Sequence, residues 1–104
     1  MRADEALKKI KPRLETAFPE RLRGVLLYGS EARGGARTDS DLDLMVLIEG
    51  PLRLGKDLDR IVTALYPLQL ELDRAIHALP VAMEAYEAAE YSLYREVKRE
   101  GVLL

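Results

Sequence analysis

Two short apolar runs, with a chemically loaded stretch between them, constrain this chain more than any other feature. The first is Val25-Leu26-Leu27-Tyr28, opened by Gly24 and closed by Gly29. The second is Leu44-Met45-Val46-Leu47-Ile48. Runs this short, bounded by turn residues, predict buried strands, and the unbroken second run predicts a central strand covered on both faces. Between them stand Gly29-Ser30, a ten-residue spacer from Glu31 to Ser40, and Asp41-Leu42-Asp43.

The remaining pattern supplies helices to cover those strands. Residues 3–18 carry an apolar stripe of Leu7, Ile10 and Leu14, which predicts a helix kinked or broken at Pro12. A short helix is expected from about Glu31, capped by Ser30, with a loop from Gly34 through Thr38. Leu58, Ile61, Val62 and Leu65 share a face of a helix running from Asp57 to Tyr66, ended by Pro67. Leu68, Leu70 and Leu72 alternate with Gln69, Glu71 and Asp73, the period of a half-buried strand over Leu68–Ala78. Residues 82–100 read as helical, with a break near Ser92, a cap at Gly101, and Val102 to Leu104 as an edge strand or packed tail. The order α-β-α-β-α-β-α gives a small sheet flanked by helices, in the α/β or α+β class. At 104 residues the chain is expected to be a single domain, 1–104.

Composition narrows the chemistry. The absence of cysteine excludes a disulfide scaffold, a thiolate zinc site and a cysteine nucleophile. The lone histidine, His77, excludes multi-histidine metal sites, weakens a Ser-His-Asp reading, and is more often structural than a general base. A net charge of −2 is unlike that of a broad nucleic-acid-binding face, so no extended nucleic-acid surface is expected. Lys8, Lys9 and Lys11 read as a solvated helix face. No apolar run approaches the ~20 residues of a membrane span, and no signal segment is evident, so a cytoplasmic location without membrane association is expected.

The stretch from Gly29 to Asp43 carries the chemistry. A Gly-Ser turn between a strand and a helix start exposes backbone N–H groups to an anion, and Gly29 lets a phosphate approach without a Cβ in its way. Arg33 and Arg37 are close enough in sequence to neutralise phosphate oxygens. Asp41 and Asp43, two residues apart at a strand entry, project to the same side. A pair of convergent carboxylates is a hard-oxygen site suited to Mg²⁺ and substrate phosphates.

Gly29-Ser30-Glu31-Ala32-Arg33-Gly34, followed by Thr38-Asp39-Ser40-Asp41-Leu42-Asp43-Leu44-Met45-Val46, resembles the signature of the DNA polymerase beta-like nucleotidyltransferase superfamily. The short length resembles its minimal nucleotidyltransferases, the MNT or MntA-like proteins, and the likeness covers nearly the whole chain. That resemblance implies a palm-like fold and three carboxylates holding two Mg²⁺ ions. It places two of them at Asp41 and Asp43 and takes the third from a later strand, with Asp73 preferred and Glu71 as the alternative.

The implied reaction is attack of an acceptor hydroxyl on the α-phosphate of a nucleoside triphosphate, by family habit ATP, with loss of pyrophosphate. Gly29 and Ser30 would hold the β- and γ-phosphates, assisted by Arg33 or Arg37. With no length left for an acceptor-binding domain, the resemblance implies a partner protein of the HEPN class. The pair would be a toxin–antitoxin system in which AMP is added to the toxin. A small-molecule acceptor such as an aminoglycoside, and a non-catalytic binding subunit, are the alternatives. A homo-oligomer is compatible with all three.

Overall fold

The computed structural model describes residues 1–34 and 40–104. The chain opens with helix α1 (Ala3–Ala17), which buries Ala6, Ile10 and Leu14. The helix is continuous across Pro12 rather than broken there. Pro12 and Lys8 both lie on its exposed side, so the Lys8 carbonyl that loses an N–H partner faces water. Strand β1 (Leu22–Tyr28) follows, then a single turn of helix, α2 (Gly29–Ala32), and strand β2 (Leu42–Ile48). The second strand contains the apolar run Leu44–Ile48, ends with it, and begins two residues earlier at Leu42.

Helix α3 (Leu54–Glu71) corrects the reading of residues 68–78. It passes through Pro67 and absorbs Leu68 to Glu71, which alternation assigned to a strand. Asp57, Ile61, Leu65 and Leu68 are its buried residues, and Leu72 continues the series, whereas Leu70 is exposed. That spacing is helical, and the apparent alternation came from polar residues between leucines of which only part face the core. Pro67 and Thr63 are both exposed, so the freed carbonyl again faces solvent. The third strand, β3, runs from Ile76 to Ala82 and includes Pro80. Two short helices, α4 (Met83–Glu87) and α5 (Ser92–Glu100), stand either side of the break expected near Ser92, and strand β4 (Val102–Leu103) ends the chain's regular structure.

The four strands form a mixed sheet in the order β3-β2-β1-β4. β1 runs antiparallel to β2 and to β4, while β2 and β3 are parallel, as a crossover helix between them requires. On one face Val25, Leu27, Leu44, Val46 and Ile48 pack with Ile10, Leu14 and Phe18 and with Ile61, Leu65 and Leu68. On the other, Leu26, Met45, Leu47 and Val81 pack with Val97 and the partly buried Tyr86, Leu93 and Tyr94. Both faces of β2 are therefore covered, which is why its apolar residues run without interruption.

The register fixes two ends. Leu22 pairs with Ile48 at one end of the β1–β2 ladder, and Tyr28 pairs with Asp43 at the other. Asp43 has the parity of Met45 and Leu47, so it lies on the α4–α5 face, at the mouth of the sheet.

Candidate active site

Tyr28 ends β1, and Gly29 turns the chain with φ +76°, a left-handed conformation that other residues adopt at a cost. A Cβ placed on Gly29 would sit 2.5 Å from Asp43 Oδ2. The glycine is thus required twice, by its backbone angle and by the carboxylate packed against it. Ser30 lies within α2 rather than capping it: the cap position is Tyr28, and no side chain caps this turn. At four residues α2 is too short for a developed helix dipole, so what the turn offers is close backbone approach rather than helix-end charge.

Asp41 and Asp43 stand beside this turn, Asp41 just before β2 and Asp43 within it. β3 sets His77 in register with Asp43. His77 Nδ1 lies 3.3 Å from Asp41 Oδ2 and 3.9 Å from Asp43 Oδ1. Partial burial pushes the Asp43 carboxyl above its ordinary value; His77 opposes that rise and Asp41 adds to it. Burial, with the Asp43 charge second, likewise pushes up the Tyr28 phenol. Among the described residues no Lys or Arg pairs with Asp41 or Asp43. Two carboxylates held together without a compensating cation make a site that favours an added positive charge.

The other expected residues are placed differently. Neither candidate for the third carboxylate is on a strand: Glu71 ends α3, and Asp73 is exposed in the connection before β3. Asp73 lines a separate hollow with Met1, Arg2, Asp4, Glu31 and Arg74, and the side chain that β3 brings level with Asp43 is that of His77. The Arg33 guanidinium lies 3.3 Å from Glu100. Arg37 lies outside the described residues. Tyr94 makes ring contacts with Tyr86 and Tyr91; Tyr86 and Tyr94 pack the sheet's second face, whereas Tyr91 is exposed.

Two residues that sequence reasoning missed brace the site. Arg74 donates to the Ser40 carbonyl at 2.6 Å and to Glu31 at 2.9 Å, tying the start of β2 to α2. Gln69 donates to the Arg74 carbonyl and accepts from the Ile76 N–H, at 2.8 and 2.7 Å, fixing where β3 begins. Gln69 is the chain's one glutamine, on the buried margin of a helix; that rarity was the only available signal.

A groove of about 510 Å³ is lined by Tyr28, His77, Leu79, Tyr66 and Gln69 among others, and neither Asp41 nor Asp43 is part of that lining. Helix α3 exposes Leu54, Leu58, Val62, Tyr66 and Leu70, a stripe at four-residue spacing, of which Leu58, Val62 and Tyr66 line the groove. Among the described residues no helix is long and apolar enough to cross a membrane.

A family model for polymerase beta nucleotidyltransferases matches residues 8–104. A protein of Methanocaldococcus jannaschii with the provisional name protein adenylyltransferase MJ0604 is 29% identical over 105 residues, covering 100% of this chain and 99% of the relative. Among solved structures, spectinomycin adenyltransferase AAD(9) from Enterococcus faecialis, with ATP and spectinomycin, superposes with a TM-score of 0.72 at 18% identity. That match covers 96% of this chain but only 54% of the enzyme. The toxin–antitoxin complex MntA–HpeT matches with a TM-score of 0.65 at 23% identity, over 94% of this chain and 70% of that one. At these identities the two structures speak for the fold.

Proposed function

Because the chain belongs to the polymerase beta nucleotidyltransferase family, we propose that it transfers AMP from ATP to a hydroxyl of a partner protein. The observation that carries this reading is the packing of the Asp43 carboxylate against Gly29, with Asp41 beside it. A phosphate chain entering over Gly29 and Ser30 would meet two carboxylates that pair with no Lys or Arg among the described residues.

The donor set fits Mg²⁺, a hard cation commonly bound by one or two carboxylates together with substrate phosphates. Asp41 and Asp43 would hold it. Its chemistry is neutralisation of charge gathering on the phosphate oxygens. Among the described residues no three His, Cys, Asp or Glu side chains form a metal cage by themselves, so the nucleotide's own oxygens would have to complete the set. The acceptor oxygen forms a bond to the α-phosphorus, the bond to the pyrophosphate oxygen breaks, and the hydroxyl proton passes to solvent or a nearby base. The chain's contribution is positioning and electrostatics, which suffice for this class of transfer.

A protein acceptor is favoured over a small one by the apolar stripe on α3 beside the groove, a surface that association with another chain would bury. The partner in this reading is a HEPN-domain toxin and this chain its antitoxin, in line with the relative's name and the toxin–antitoxin complex of the same fold. A small-molecule acceptor is supported by the likeness to the spectinomycin enzyme, of which this chain spans about half.

Incubation with α-labelled ATP and host lysate separates these. Label on one small protein is expected, reduced on the order of 10²–10³-fold by Asp43→Ala, the loss typical of removing one essential electrostatic group. Label on a small molecule would replace the acceptor assignment. Neutralisation of a toxic partner that survives Asp43→Ala would make the chain a binding subunit.

A further inference from the structure

We propose that copies of this chain associate head to tail, with the acidic segment 84–90 of one copy seated in a basic groove between α1 and α3 of the next. The inference goes beyond nucleotidyl transfer and uses none of the residues assigned to it.

Both halves of the contact are present in the one chain. The groove, of about 1030 Å³, has Lys8, Lys9 and Arg13 on its α1 wall and Lys56 and Arg60 on its α3 wall, against a single carboxylate, Asp59. A chain with 18 acidic and 16 basic residues thus gathers five cations against one acid in one place. Among the described residues no carboxylate forms an ion pair with any of the five. Ala17, Ala64 and Pro67 line the groove without long side chains, so a second backbone can approach.

The counterpart lies across the sheet. From Glu84 through Tyr94 the chain carries Glu84, Glu87 and Glu90 and no Lys or Arg. All three glutamates are exposed, and among the described residues none is paired with a cation. Met83 and Tyr86 pack α4 onto the sheet face opposite the one that α1 and α3 cover. The α3 wall from Lys56 to Pro67 is roughly 16 Å long, and segment 84–90 spans roughly 9 Å at helical rise, so the segment fits within it. α4 also begins at the Ile48–Ala82 end of the β2–β3 ladder, away from Asp43, so the contact leaves the carboxylates open.

Because the two patches lie on opposite faces, a two-fold dimer cannot join both pairs at once. The contact is therefore heterologous, and copies add in rings or open chains. Exposed ion pairs are individually weak and screened by salt, so association is expected at low ionic strength and high protein concentration. Nucleic acid matches the groove less well: single-strand sites combine cations with aromatic platforms, and no Phe, Tyr or Trp is among the lining residues.

The test is sedimentation velocity of the whole protein. At about 50 mM salt, species beyond a dimer should grow with concentration, and about 500 mM salt should weaken association by about tenfold or more. Lys9→Glu with Lys56→Glu should leave monomers, and so should Glu84→Gln with Glu87→Gln. All four positions are exposed, so both variants should keep the wild-type circular dichroism spectrum. Mixed in equal amounts, the two variants should form a one-to-one dimer and stop there, since each supplies one intact patch. A wild type that stays monomeric at low salt overturns the proposal, and if that monomer binds a labelled single-stranded RNA and loses it in Lys9→Glu with Lys56→Glu, the groove belongs to nucleic acid instead. Self-association that ignores salt or survives in either variant also overturns it and moves the contact to another surface, the exposed stripe of α3 first among them. A mixture of the two variants that stays monomeric does the same.

Discussion

The two ends of the β1–β2 ladder each hold an aspartate, and their surroundings are opposite. At the Leu22–Ile48 end, Asp57 on α3 is buried, and Arg21 donates to both of its oxygens at 2.9 and 3.1 Å. The Arg53 N–H adds a third bond at 2.9 Å. Hydrogen bonding from Arg21, ahead of any cost of burial, holds the Asp57 carboxyl below its ordinary range. At the Tyr28–Asp43 end, burial pushes Asp43 the other way, with a second carboxylate nearby. One end satisfies its charge with Arg21; at the other no Lys or Arg among the described residues does so. Sites of binding and catalysis commonly carry such local cost, while structural carboxylates are compensated.

The contrast breaks first at Asp57. Asp57→Ala leaves the Arg21 fork without its partner and should cost about 3 kcal/mol, lowering Tm by more than 10 °C in thermal unfolding. Asp43→Asn, by comparison, should leave Tm unchanged or raised at neutral pH. Equal losses at both positions would abolish the distinction between the two ends.

The pH dependence of Asp57 has a definite sign. Its folded-state pKa is depressed, so its stabilisation is present above the ordinary carboxylate value of about 4 and is lost as pH falls through the lowered one. Urea unfolding between pH 7 and pH 3 should therefore show a shallower acid loss in Asp57→Ala than in the wild type.

A smaller effect is expected at the turn. Gly29→Ala meets both a left-handed backbone and the Asp43 carboxylate, and should cost about 1–2 kcal/mol while also reducing label transfer. A variant with wild-type transfer would show that the glycine serves folding alone.

The smallest effect concerns α3, which joins the two ends by carrying Asp57 near its start and Gln69 near its finish. Pro67→Ala restores a backbone donor in the last turns and should raise stability by up to about 1 kcal/mol, read from the denaturant midpoint. Hydrogen exchange at Ile76, whose N–H is held by Gln69, should slow in the same variant if the gain reaches the site.

Much of this was legible in the chain itself. Short-range chemistry determined the buried part of β2, Leu44–Ile48, because a stretch covered on both faces must be apolar throughout. It determined the Gly29-Ser30 turn and the position of Asp41 and Asp43 at the entry of β2, because turn chemistry and an apolar run are local properties. It failed at residues 68–72, where prolines and alternating leucines suggested a strand. An exposed proline is tolerated in a helix whose other face is well packed, and which face is packed is not a local fact.

Only the tertiary structure decided which strand lies beside β2 and in what register. That pairing brings His77 to the carboxylates and leaves Asp73 in the connection before β3. It also brings Arg21 to Asp57 across 36 residues. Contacts between residues distant in sequence depend on how whole elements pack. Neither a motif nor a period within one segment carries that information.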